Sequence, residues 1–114
     1  MISRTFYANI RLENKHVVID LHGEINSQAD EALNQAYAEA ENKNPEVIVL
    51  NFTDVDYINS TGIALIVGLL AQSRKTHRRL VVYGLSEHYV QIFNITRLSD
   101  FMDIFQDETS ALSS

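Results

Sequence analysis

Residues 47–75 read VIVLNFTDVDYINSTGIALIVGLLAQSRK, from Val47 to Lys75, and this stretch decides the fold. Val47-Ile48-Val49-Leu50-Asn51-Phe52 is nearly continuous apolar and rich in β-branched residues. That is the pattern of a central strand covered on both faces. Thr53 to Asn59 is polar and is expected to be a loop. The apolar residues that follow, from about Ser60 to Arg74, predict a helix. Arg74 and Lys75 open a basic cluster that runs to Arg79, and cations at a helix C-terminus complement its dipole.

Working outward, Leu80-Val81-Val82-Tyr83 is a second buried strand, so strand, helix and strand form a right-handed parallel crossover. Ser86 can cap a further helix with Tyr89, Val90, Ile92 and Phe93 on its inner side, and Met102, Ile104 and Phe105 supply a short last strand or helical turn. Towards the N-terminus, Phe6, Ala8, Ile10 and Leu12 alternate with Tyr7, Asn9 and Arg11, and Val17, Ile19 and Leu21 alternate with Val18, Asp20 and His22. Both are half-buried strands. Glu13-Asn14-Lys15 joins them as a hairpin, and Gly23 is expected to end the second. Ala29, Leu33, Ala36 and Ala40 recur at helical spacing behind a Ser27 cap, with Asp30 and Glu31 suiting the dipole, until Asn42-Lys43-Asn44-Pro45 stops the helix. The order is β-β-α-β-α-β-α-β, an α/β protein with a mixed sheet of four to five strands. One domain is expected over residues 1–114, with an ordered core from about 3 to 106 and a small polar tail, 107–114, that frays.

Composition narrows the functions. The chain has 114 residues and a formal charge of −6, from nine basic and fifteen acidic side chains. Nucleic acid and anionic membranes are poor partners for such a surface. No apolar run is long enough to insert in a membrane, and the N-terminus lacks the apolar block of a signal peptide, so a cytoplasmic location is expected. There is no cysteine, hence no disulfide framework and no thiolate metal site. His16, His22, His77 and His88 show no metal spacing and read as surface residues. The four glycines are scattered, without a phosphate loop, and Asp54 and Asp56 read as solvated turn formers. No catalytic set, metal site or cofactor site emerges, and no enzymatic activity is expected.

Ser60 and Thr61 remain to be explained. A hydroxyl before an apolar helix is ordinarily a cap, worth about 1 kcal/mol. Three features point further. Asn59, Ser60 and Thr61 are three caps where one suffices. Gly62 costs roughly 1 kcal/mol relative to Ala in a helix and leaves bare backbone for a second protein to approach. The helix is apolar nearly all round, which predicts that it is fixed in the core with its N-terminus held rigidly at the surface. A phosphoryl group there would meet the positive end of a helix. A docked partner would meet about −1.5 to −2 new charges. Modification could thus switch binding without unfolding the domain.

This strand-loop-helix resembles the signature of STAS domains, the anti-sigma factor antagonists in particular, of the type L-D-h-s-x-V-x-[FY]-[hM]-D-S-[ST]-G-h-x-x-h with h apolar. Leu50, Asn51, Phe52, Val55, Tyr57, Ile58, Ser60, Thr61, Gly62, Ile63 and Leu65 fall on it, and His22-Gly23-Glu24-Ile25-Asn26 resembles the family's G-E-[IL]-D turn. The likeness covers nearly the whole chain and implies a STAS-like fold with helices packed mainly on one face of the sheet. It also implies a regulatory role. The unphosphorylated antagonist binds an anti-sigma factor that is itself a serine kinase, of the GHKL type; phosphorylation disables it and a PP2C-type phosphatase restores it. The modified residue maps to Ser60 first and Thr61 second. The implied partner surface is Gly23, Glu24, Ile25 and Asn26 together with Asp56, Tyr57, Ile58, Asn59, Ser60, Thr61 and Gly62. Two positions depart from the pattern: Asn59 and Asn26 stand where the family has acids. They leave room for the alternative, a non-switching STAS subunit of a transporter or scaffold complex.

Overall fold

The computed structural model describes residues 4–114. Alternating residues build β1 (Tyr7–Glu13) and β2 (His16–Ile25), paired antiparallel from Tyr7–His22 to Glu13–His16. Asn14 makes the reversal in the left-handed region, φ 59°, which Asn tolerates better than most side chains. The helix α1 (Asp30–Asn42) leads to β3 (Val47–Ile58), α2 (Ser60–Lys75), β4 (Arg79–Tyr83), α3 (Glu87–Ile95), β5 (Asp103–Phe105) and α4 (Glu108–Leu112). Short 3-10 turns precede α1, at Ser27–Ala29, and β5, at Leu98–Asp100.

The sheet is five-stranded in the order β1-β2-β3-β4-β5, antiparallel at the hairpin and parallel elsewhere. The expected α/β order and mixed sheet are therefore present. The main core lies on one face. Val17, Ile19, Leu21, Ile48, Leu50, Leu80 and Val82 meet Leu33, Tyr37, Ile66, Leu69 and Phe93 from α1, α2 and α3. On the other face Val18, Val47, Val49, Val81 and Tyr83 pack against Ala111. Val47 and Val49 thus face one way and Ile48 and Leu50 the other, which is why β3 needs an unbroken apolar run.

Four expectations require correction. Residues 107–114 are not a fraying tail: Asp107 accepts a hydrogen bond from the Ser110 N–H (2.8 Å), and the α4 it starts buries Ala111 completely. The segment Thr53–Ile58 is not a loop but the second half of β3, in register with β2 as far as Ile25–Ile58. Gly23 does not end β2, which runs on to Ile25 through irregular pairing. Its φ of 89° and the Thr5 carbonyl, which would lie 2.7 Å from an added Cβ, fit glycine alone. Finally, Ser27 does not cap α1: it opens the 3-10 turn, which Asn26 caps by accepting from the Gln28 N–H at 2.9 Å, and α1 itself follows Ala29 with no side-chain cap.

Candidate functional site

The ends of β2 and β3 deliver the chain to the N-terminus of α2. Asn59 is the N-cap: its Oδ1 accepts from the Gly62 N–H at 2.8 Å and its carbonyl accepts from the Ile63 N–H at 2.9 Å. Ser60 and Thr61 therefore do not cap the helix. Both side chains are exposed, and neither hydroxyl is hydrogen-bonded to any described residue. No acidic residue lies in the first turn of α2, so nothing there opposes the positive end of the helix.

Three ties hold this end in place. The Asn59 N–H donates to the Ile25 carbonyl at 3.2 Å. The Ile58 N–H donates to the hydroxyl of Tyr89, from α3, at 2.8 Å, and that hydroxyl reaches back to the Ile58 carbonyl at 3.4 Å. Gly62 lets the first turn lie directly on β2: an added Cβ would stand 2.2 Å from the Ile25 oxygen. Gly62 is buried, so its expected role of baring backbone to a second protein is corrected. It is small because the helix must touch its own sheet. Nor is α2 enclosed all round as expected. Ile66, Leu69 and Leu70 are buried, while Ala64, Val67, Gly68 and Ala71 face solvent.

A fourth tie was not legible in sequence. Arg4 reaches across to β3, bonding Asp56 Oδ2 at 2.7 Å, Asp54 Oδ1 at 3.1 Å and the Asp54 carbonyl at 2.8 Å. Its own carbonyl accepts from the Glu24 N–H at 3.2 Å. The two acids are thus paired, not simply solvated turn formers, and the Arg4 guanidinium holds both carboxyls below the usual range. His22 adds to this at Asp54, with Nδ1 at 2.7 Å, while its Nε2 meets Asn9 Oδ1 at 2.8 Å and its ring stacks on Tyr7. His22 and His16 are half-buried, unlike the exposed His77 and His88.

The predicted surface is accordingly brought together but divided. Ser60, Thr61, Asp56 and Tyr57 are exposed, and Glu24, Asn26 and Asn59 are half-exposed. Gly23, Ile25, Ile58 and Gly62 are buried and lie beneath these side chains.

This strand, cap and helix start lie inside a stretch, residues 7–111, that matches the family model of the STAS domain. The chain belongs to the STAS family. The anti-sigma-B factor antagonist of Listeria monocytogenes is 33% identical over 101 residues, covering 84% of this chain and 89% of that protein. Among solved structures, an anti-sigma factor antagonist from Mycobacterium paratuberculosis superposes with a TM-score of 0.83 at 17% identity, over 96% of this chain and 92% of that one. The Bacillus cell fate determinant SpoIIAA in its phosphorylated form gives 0.70 at 22% identity, over 96% and 97%. Both structures share the fold. Among the described residues no helix is long and apolar enough to cross a membrane.

Proposed function

We propose that this STAS domain is an anti-sigma factor antagonist and acts as a binding module switched by phosphorylation. With Ser60 unmodified, the surface of Glu24, Asn26, Asp56, Tyr57, Asn59, Ser60 and Thr61 binds an anti-sigma factor that is a serine kinase of the GHKL type. That kinase transfers phosphate to Ser60, or to Thr61 as the alternative, and a PP2C-type phosphatase removes it. The observation that carries this reading is the division of labour at α2: Asn59 alone serves as cap, leaving two exposed hydroxyls at the start of an anchored helix. The names of the curated relatives and the phosphorylated form of SpoIIAA support it. A phosphate there would suit the helix dipole and bring about −1.5 to −2 charges into the docking face.

The test is incubation with the host's own anti-sigma kinase and ATP, followed by mass spectrometry of the peptide holding Ser60 and Thr61. One phosphate on that peptide is expected. Ser60→Asp is expected to weaken kinase binding at least about tenfold, roughly 1.4 kcal/mol, with the melting temperature unchanged. An unmodified peptide, or unaltered binding by the variant, overturns the switch. The neutral Asn26 and Asn59 support a second reading, a non-switching subunit of a transporter or scaffold complex. A stable complex with such a partner that is indifferent to ATP and to Ser60→Asp would select it.

A further inference from the structure

The two edges of the sheet differ in kind. β5 is three residues long and begins with Asp103, which is tied to Arg79; a short, charged edge resists pairing. β1 is seven residues long, contains neither proline nor lysine, and pairs only with β2. In an antiparallel ladder alternate residues turn their N–H and C=O groups away from the neighbour. The outer edge of β1 therefore offers a row of these groups, and no described residue outside β2 bonds to them.

Its side chains fall into two rows. Ala8 and Ile10 pack at the margin of the main core, and Leu12 beside them is 63% exposed. Tyr7, Asn9, Arg11 and Glu13 form the opposite row. Arg11 is the charge that would deter a neighbouring strand, but it is drawn onto the sheet face. It bonds Asp20 at 2.7 Å, Glu108 at 2.8 Å and Glu13 at 3.1 Å.

We propose that β1 is the seam of a homodimer, two copies pairing their β1 strands antiparallel about a two-fold axis at Ile10. The sequence of the strand is self-complementary about that point. Ile10 then faces Ile10, Ala8 faces Leu12, Asn9 faces Arg11 and Tyr7 faces Glu13. Apolar meets apolar on one face of the joined sheet and polar meets polar on the other, with no like charges opposed. Moving the axis to Arg11 would set two arginines against each other. Ile10 is also the midpoint of the strand, so this register uses its whole length. The seam lies two strands from β3 in the sheet order, so it leaves the hydroxyls at the start of α2 open to their partner. Each copy carries −6, and screening by salt strengthens the pair.

Sedimentation equilibrium of the full chain tests this. A reversible dimer is expected, with a dimer fraction that rises from low to moderate NaCl, and Leu12→Lys is expected to make it monomeric with an unchanged circular dichroism spectrum. Because the protein has no cysteine, Ile10→Cys adds an independent measurement. Facing Cα atoms in a hydrogen-bonded pair lie about 5.5 Å apart, within reach of a disulfide. Mild oxidation should link that variant into dimers and leave a Gln91→Cys control unlinked. A wild type that stays monomeric up to its solubility limit overturns the proposal. So does a dimer that fails to cross-link at position 10.

Discussion

Asn59, Ser60 and Thr61 look interchangeable as helix caps, yet each has a separate task in the folded chain. Asn59 satisfies the Gly62 N–H, while the next two side chains point to solvent. Asn59→Ala is therefore expected to cost about 1 kcal/mol, whereas Ser60→Ala is expected to leave stability within about 0.5 kcal/mol of wild type. Denaturant titration of the two variants checks the assignment. At Gly62 a methyl group would enter the space of the Ile25 carbonyl and of the Ile58 side chain, 2.9 Å away. Gly62→Ala is expected to destabilise by about 1–3 kcal/mol, seen as a lower denaturant midpoint, even though Ala is the better helix former. The residue pattern S-T-G was visible in the sequence, but the reason for its glycine was not. A bare backbone serves equally for a visiting protein or for a strand of the same chain, and only the position of Ile25 decides between them.

Among the elements, β3 and α2 were legible because burial on two faces, or along one helix side, leaves a long apolar record. The far half of β3 was hidden because Thr53, Asp54, Asp56 and Tyr57 are exposed and acids disfavour strands. Its register comes instead from β2, with Arg4 holding the two acids, and residues some fifty positions apart give no local signal. The last helix escaped for a different reason. Five residues with one buried alanine have no periodicity to read, and the only cue was an aspartate three positions before a serine, the spacing at which an acid can cap. That helix is nevertheless the lid of the second core. Ending the chain after Gln106 would uncover Val47, Val49 and Val81, which pack around Ala111. A melting temperature lower by several degrees is expected from calorimetry of the truncated chain, since each kcal/mol lost shifts a domain of this size by about 4–8 °C.

Across the molecule, the face of the sheet opposite the main core carries a connected set of charges. Burial raises the Asp20 carboxyl, but bonds from Arg11, Asn51 and Asn9 outweigh it and hold it below its usual value. Asp54 and Asp56 are lowered by Arg4, and Asp107 by the Ser110 N–H. Groups that bind protons less readily in the folded chain stabilise it above their unfolded pKa, about 4, and lose that effect as the pH falls through the folded values. The melting temperature is thus expected to stay level down to about pH 5 and to fall below about pH 4. Asp20→Asn should flatten that acid limb and cost about 2 kcal/mol at neutral pH, the scale of hydrogen bonds to a charged group.

The sheet repeats the order of the chain, so one hairpin and three crossovers suffice to assemble it. A polypeptide emerging from the ribosome can lay each new strand beside the one just finished, with only short closures to make. Ile58, however, waits for Tyr89 from α3. A nascent chain that has completed β3 and α2 already holds Ser60 and Thr61 against β2 through Asn59 and Gly62, and the last fastening of that helix start, at Ile58, closes only when the third helix arrives.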